Sequence, residues 1–333
     1  MSPKILFEPG FKYSTFTEAT AITATDGTEG TEGTYSAVLP RDWCIGIGSF
    51  SLYTPMPGSD ARAFTFSNKN YIVPHGGYLA SLLLHTGMAY MTAHPLLSLR
   101  SQPHPLHISI TFLSRCVPGA AQLITSTLKA GRQFTFVRVT LRQRDVVCLE
   151  GTVIFTHFTQ LQKGISLRTL PAVTLPPRDG PWVTISADPL HEFRPVAKKL
   201  LYCIPPGTRL GSKKSSPSVR EQWVKMADGS RFGLTSLGYL SDMFLPLPEN
   251  YEETTVESRW YPTLALSLEI KRAPPEGGWE ELFCRIESKV IERGRMDITV
   301  EIFDVEGNVV GISHHTTIIL DAARNTGAER AKL

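Results

Sequence analysis

The sequence predicts an α+β protein made of two tandem copies of one unit, a helix laid against antiparallel strands. Residues 70–93, NYIVPHGGYLASLLLHTGMAYMTA, supply the first helix, and strand-like runs on both sides of it supply a sheet. The same order of elements returns after residue 190, together with some of the same residues.

The helix is sharply marked at its start. Pro74 and His75 close an extended segment, Gly76 and Gly77 open the helix without side-chain bulk, and Leu79, Leu82, Leu83, Thr86, Gly87 and Tyr90 recur at three- and four-residue spacing. Few of its positions are strongly polar, so it is wrapped on most sides. Before it, a polar low-complexity loop (TDGTEGTEGT, 25–34) leads into short strands at YSAVLP (35–40) and ARAFTFS (61–67). After it come PLHISITFLSR (105–115), 121–145 and VVCLEGTVIFTHF (146–158), rich in β-branched and aromatic residues and broken by Pro118-Gly119, Gly131 and Arg144-Asp145. Residues 159–190 carry Pro171, Pro176, Pro177 and Pro181 without periodicity and read as a linker.

The second copy opens with FRPVAKKLLYCI and SVREQWVKMA. A second apolar helix is expected at Gly233–Leu245, stopped by Pro246 and Pro248, and strands at 262–272, 281–304 and 308–320 follow. Gly77-Tyr78-Leu79 recurs as Gly238-Tyr239-Leu240, and the run 105–115 echoes 262–272. Gly131-Arg132 and Gly294-Arg295 lie 163 residues apart, as do Val146-Val147 and Val309-Val310, so this block aligns without a gap. A single unit would leave a sheet edge bare, and two units can pair edge to edge into one sheet carrying both helices. The expected organisation is therefore a first repeat over 1–158, a linker over 159–190, a second repeat over 191–320 and a polar tail over 321–333.

Composition excludes several classes. The net charge of +3 with no basic run argues against nucleic acid, and no apolar stretch is long and uninterrupted enough to span a bilayer. The opening MSPKILFEPGFKYS lacks the apolar core of a secretory signal. The five cysteines, Cys44, Cys116, Cys148, Cys203 and Cys284, are scattered and odd in number, which reads as reduced thiols of an intracellular protein rather than a zinc site. The chain ends Ala331-Lys332-Leu333, a variant of the Ser-Lys-Leu peroxisomal address. The expected location is thus the peroxisome, reached through the import receptor, and otherwise the cytoplasm.

Taken together, VPHGGYLASLLL, LGYLSDMFLP, WYPTLALSLEIKR and the GR…FDVEGNVVGISHH ending resemble the acyl-CoA thioesterase II branch, and in particular the thioesterase-like proteins of fungi. The resemblance covers roughly residues 35–320. It implies a double hot-dog fold, two long helices each wrapped by a curved antiparallel sheet, and hydrolysis of an acyl-CoA or another acyl thioester by direct attack of water. It implies no metal or redox cofactor, with CoA entering as part of the substrate. In that family an Asp on the second helix, a Thr on the next strand and a Gln on the last strand activate the water. The resemblance carries these roles onto Asp242 and Thr263 and places His315 at the Gln. Imidazole donates or accepts as an amide does, but it also titrates, so altered pH dependence is expected there. By the repeat, Leu106 stands at Thr263, Thr152 at His315 and Ser81 at Asp242, so the first half lacks the trio.

The residues themselves support some of this. Asp242 interrupts an apolar helix near its C-terminus, where the dipole and burial both disfavour an anion and should raise its pKa. It serves either as a general base or as a structural tie between helix and strand. Paired glycines at a helix start leave N–H groups bare, so Gly76, Gly77 and Tyr78 can polarise a thioester carbonyl, or the glycines only allow close packing. His75 either caps the helix or meets the acyl carbonyl. His314 and His315 adjoin on a strand and so face opposite ways. The His for Gln departure also admits a repurposed enzyme of fungal secondary metabolism (a polyketide hydrolase, cyclase or dehydratase), and an idle water site would leave a non-catalytic acyl-binding protein. The sequence leaves a homo-oligomer open.

Overall fold

A computed structural model describes residues 14–26, 32–47, 50–52, 64–66, 71–161, 164–167, 174–178, 180–182, 195–203, 218–251 and 259–321. The first half runs α1 (Phe16–Ala19), β1 (Ile22–Asp26), β2 (Glu32–Leu39), β3 (Cys44–Ile47), β4 (Phe50–Leu52), β5 (Phe64–Phe66) and β6 (Tyr71–Pro74) into the long helix α2 (Gly76–Ala93). One turn, α3 (Pro95–Ser98), leads to β7 (His104–Phe112), β8 (Gly119–Ala130), β9 (Thr135–Gln143), β10 (Val146–Thr156) and the closing turn α4 (Phe158–Leu161). The second half contains β11 (Leu200–Cys203), β12 (Val219–Met226), α5 (Ser236–Leu240), β13 (Arg259–Trp260), β14 (Thr263–Ile270), β15 (Leu282–Glu287), β16 (Ile291–Glu292), β17 (Arg295–Phe303), β18 (Val309–Ile318) and β19 (Leu320–Asp321).

Both halves feed one antiparallel sheet in the order β1-β2-β8-β9-β10-β7-β14-β18-β17-β15-β12-β11. The seam is β7 against β14, from Ala265 opposite Thr111 to Glu269 opposite His107. Each half thereby covers the edge that the other would have left bare. Alternation along β9 and β18 buries Val137, Val139 and Leu141, and Ser313, His315 and Thr317, on the helix side of the sheet. Helix α2 keeps twelve of its eighteen residues buried, as its nearly all-apolar surface requires.

The second helix differs from its expectation. Only Ser236–Leu240 is α-helical, not Gly233–Leu245. Ser241 Oγ turns back to donate to the Gly238 carbonyl at 2.8 Å, and the next amides, Asp242 and Met243, donate to carbonyls three residues back. Pro246 then bars any return to the helix, and a 3₁₀ turn follows at Leu247–Asn250. Among the described residues of the linker, Trp182 and Leu175 pack with Trp223, Phe283 and Phe303 of the second half, and the Pro176 carbonyl accepts from Trp223 Nε1.

The strand bulges correct the internal alignment by one residue. In the first half Phe155 pairs with Pro105 and Ile154 with His107, so Leu106 is the extra residue. In the second half Thr317 pairs with Thr263 and Thr316 with Ala265, so Leu264 is the extra residue. Cys148 and Val310 are likewise matched bulges near the far ends of β10 and β18. Matching bulge to bulge sets Pro105 at Thr263, Val153 at His315 and Phe155 at Thr317, in place of the Leu106 and Thr152 read from the sequence. Strand period is two, so a one-residue slip would have turned every side chain to the wrong face.

Behind the start of α2 lies a polar clasp. Asp42, 1 % exposed, accepts from Ser14 N at 2.7 Å and from Lys199 Nζ at 2.5 Å, and Trp43 Nε1 donates to Ser14 Oγ. The Trp43 ring packs between Tyr78 and Tyr239, and its carbonyl accepts from His75 N at 3.0 Å. Segments of both halves are thus drawn onto the point where α2 begins.

Candidate active site

The two helices cross where each carries a glycine. A Cβ on Gly77 would lie 2.7 Å from the Tyr239 carbonyl and 2.9 Å from that of Gly238, and one on Gly238 would lie 2.7 Å from Ser81 N. No real Cβ tolerates such distances, so this approach is open only to glycine. It brings the end of α5 against the start of α2, and Asp242, just past α5, reaches across. Its Oδ2 accepts from Gly77 N at 2.8 Å. The carboxylate therefore sits near the negative end of its own short helix and caps the positive end of the other. Gln222 of β12 donates to the Met243 carbonyl at 3.0 Å and fixes the chain immediately beyond.

Two imidazoles flank this carboxyl. His75 Nε2 lies 3.6 Å from Asp242 Oδ2, and His315 Nδ1 lies 3.5 Å from Oδ1. Burial pushes Asp242 up to about 7, against the opposing pull of the Gly77 N–H. Burial pushes His315 down to about 3, with the neighbouring His314 and His75 acting in the same direction. Ser313 Oγ lies 2.8 Å from its Nε2, the Ser241 carbonyl pulls the other way and favours the protonated ring, and the buried Nδ1 meets no hydrogen-bonding protein group. His314 points outward, where Thr299 Oγ1 lies 3.3 Å from its Nδ1. The titration expected of the His for Gln departure therefore falls outside the neutral range, and the group poised near neutrality is Asp242.

The remaining residues singled out in the sequence divide. Gly76 lies hard against the carboxyl, since a Cβ there would be 2.7 Å from Asp242 Oδ2. The Gly77 N–H, expected to polarise a carbonyl, is engaged by Asp242 and holds the acid instead. Tyr78 buries its side chain and donates from its hydroxyl to the Ala19 carbonyl, leaving only its backbone for chemistry. Thr263 opens β14 opposite Thr317, on the helix side of the sheet, and makes no hydrogen bond to Asp242 or His315. Phe112 from the first half and Phe244 from the second flank the site: Phe112 Cζ is 3.6 Å from a Cβ built on Gly76, and the Phe244 ring is centred 6.0 Å from that of His315. Sequence reasoning missed Thr317, and only the bulge that turns it and Thr263 to the same side reveals it.

Comparison with known proteins accords with this geometry. The acyl-CoA thioesterase N-terminal domain model matches residues 67–156, and the acyl-CoA thioesterase C-terminal domain model matches 172–319. The chain belongs to the acyl-CoA thioesterase II-like double hot-dog family. It is 28% identical over 306 residues to the thioesterase-like protein TwmA of Talaromyces wortmannii, covering 77% of this chain and 86% of that one. A putative thioesterase II from Thermobifida fusca superposes with a TM-score of 0.67 at 19% identity, covering 92% of this chain and 97% of the other. The acyl-CoA thioesterase II TesB2 from Mycobacterium marinum gives a TM-score of 0.60 at 18% identity, covering 92% and 98%. At these identities the two structures speak for the double hot-dog fold. Among the described residues no helix is long and apolar enough to cross a membrane.

Proposed function

We propose that this protein is an acyl-CoA thioesterase, hydrolysing a fatty or polyketide acyl thioester by direct attack of water. The observation that carries this reading is Asp242: a carboxyl pushed up to about 7, held by one backbone N–H, at the crossing of the two helices. A base with a pKa near the working pH combines a useful ionised fraction with real proton affinity. Asp242 takes the proton of a water that adds to the thioester carbon. The carbonyl oxygen gains charge against the start of α2, where the first-turn N–H groups of Gly76 and Tyr78 have no partner within the helix. Collapse expels the CoA thiolate. The reaction so written needs no metal or redox group, and CoA enters only as part of the substrate. The half-buried Phe112 and Phe244 support placing the acyl group between the two halves.

A second reading is favoured by His75. An imidazole 3.6 Å from a carboxyl just past the opposite helix suits proton removal and return on an acyl chain, as in dehydration of a β-hydroxyacyl thioester. A panel of acyl-CoAs and polyketide thioesters, followed by free-thiol release and by product mass, separates the readings. Thiol release supports hydrolysis, and loss of water with the thioester intact supports the second. Tight binding with neither would leave an acyl-binding protein and sink both.

The relative TwmA is fungal, and its name supports a thioesterase-like role; we extend this to a place in fungal secondary metabolism. We also propose import into peroxisomes through Ala331-Lys332-Leu333, which lies outside the described residues. An N-terminally tagged fluorescent fusion should be punctate, and deletion of the tripeptide should render it diffuse. A diffuse full-length fusion would mark the ending as a coincidence.

A further inference from the structure

A buried ion pair stands behind the helix crossing, and the chemistry above makes no use of it. The Lys199 and Asp42 side chains are 9% and 2% exposed, and Nζ lies 2.5 Å from Oδ2. Ser14 completes the cluster: its N and Oγ donate to Asp42, and its carbonyl accepts from Lys199 Nζ. Taking two charges out of water offsets most of their attraction, and replacing such a pair with apolar side chains of similar size is often neutral or stabilising. The pair is therefore a poor source of stability. What it supplies is geometry, since it joins Ser14 and Asp42 of the first half to Lys199 of the second.

The residue so fixed is Trp43. Its Nε1 donates to Ser14 Oγ at 3.0 Å, and Lys199 Nζ sits 4.9 Å from the centre of its ring. The ring touches both sides of the crossing, 5.6 Å from the Tyr78 ring of α2 and 5.1 Å from the Tyr239 ring of α5. Its carbonyl accepts from the N of His75, the residue before α2. Tyr78 and Tyr239 hold matching places in the repeat, and each is tied to a turn that leads its own half. Tyr78 donates to the Ala19 carbonyl of α1, and Tyr239 donates to the Val196 carbonyl of the 3₁₀ turn Pro195–Lys199. That turn ends at Lys199 itself. Asp242 follows Tyr239 by three residues, and Gly77, whose N–H holds the Asp242 carboxyl, follows His75 by two.

Resting on the hydrolase reading, we infer that Lys199, Asp42 and Trp43 are positioning residues for the reaction: they hold the start of α2 and the end of α5 at the separation that seats the Asp242 carboxyl on Gly77 N. They act through His75 N and the Tyr239 ring, not on the reacting atoms. The titratable groups facing Asp242 are His75 and His315, at 3.6 and 3.5 Å. His75 moves with the start of α2, whereas His315 stays on β18. Severing the link between Lys199 and Asp42 should therefore disturb the carboxyl on its Gly77 side. A buried ion pair that sets register in this way works as a specificity device rather than as a store of stability.

The test is the full-length double variant Asp42→Asn with Lys199→Met, which removes both charges while Asn still accepts from Ser14 N. It should fold and melt within a few degrees of wild type. Its kcat per folded molecule on the best acyl-CoA should fall about ten- to a hundredfold at a little-changed KM, the mark of a misplaced catalytic group. The second readout needs no substrate. Gly77 and Gly278 are the two glycines that follow another glycine, so glycine labelled with ¹⁵N and carbonyl ¹³C isolates their amides by NMR. In wild type the Gly77 amide shift should follow the titration of Asp242, and in the double variant that response should shrink. Wild-type kcat together with a wild-type Gly77 response in the folded double variant would overturn the positioning role. If the double variant fails to fold, Trp43→Phe decides: both changes, in weaker form, support the role, and wild-type values for both overturn it. A wild type that releases no thiol from any acyl-CoA would remove the hydrolase reading alone. The Gly77 response would then still show whether the clasp seats the carboxyl, an unchanged response overturning it.

Discussion

Asp242→Asn should give a folded protein that binds acyl-CoA nearly as well as wild type and hydrolyses it a hundred- to ten-thousandfold more slowly. Asn keeps the shape and can still accept from Gly77 N, but it cannot take a proton from water. In the wild type, kcat/KM should climb with pH through about 7 and level off above it, because the working form is the carboxylate. His315→Gln should keep that limb, since burial already holds the ring neutral above about 3. Loss of the limb in His315→Gln would move the titrating group from Asp242 to the imidazole. Stability should run the other way. Folding raises the Asp242 pKa from 3.8 to about 7, so between these values the folded chain holds a proton that the unfolded chain has released. Wild-type stability therefore falls as pH rises across that window. The Asn variant escapes this loss, so it should melt above wild type at pH 8, with the gap closing toward pH 4. Full turnover in Asp242→Asn with a lowered melt would make Asp242 a structural tie.

The sequence made some of this site legible and hid the rest for identifiable reasons. The start of α2 was clear because Pro74, His75 and two glycines precede an apolar periodic run, and the helix begins at Gly76. The repeat was legible from Gly77-Tyr78-Leu79 and its echo, and the seam between β7 and β14 follows from pairing two bare edges. The length of α5 was not, because Leu240, Met243, Phe244 and Leu245 continue the apolar content after hydrogen bonding has shifted to tighter turns. The matched bulges at Leu106 and Leu264 were invisible for a similar reason: a bulge adds a residue without changing composition. That single slip concealed Thr317, since only the true register shows that it and Thr263 face the helices together. The clasp of Ser14, Asp42 and Lys199 joins residues as many as 185 positions apart and leaves no periodic trace. The occupation of the Gly77 N–H could not be foreseen, because it depends on how closely the two helices cross.

That crossing gives the sharpest separation of activity from stability. At Gly76 the atom in the way of a new methyl is Asp242 Oδ2, 2.7 Å off, the far end of a side chain held there by the Gly77 N–H. Gly76→Ala should push the carboxyl aside, lowering kcat about a hundredfold, while the melt stays close to wild type. At Gly77 the obstacles are the Tyr239 and Gly238 carbonyls, at 2.7 and 2.9 Å, and Asp242 Cβ at 2.8 Å. Backbone cannot swing away, so Gly77→Ala must part the helices, at a cost of about 1–3 kcal/mol for overpacking. Its melting temperature should drop by several degrees, and its activity should fall at least as far as that of Gly76→Ala, because the Gly77 N–H moves away from the acid it holds. Both variants are helix-compatible, and Ala is the better helix former, so neither effect can come from propensity. Equal melts for the two variants would mean that the helices have room to spare at Gly77. Wild-type kcat in Gly76→Ala would place the reacting water away from the Oδ2 side of Asp242.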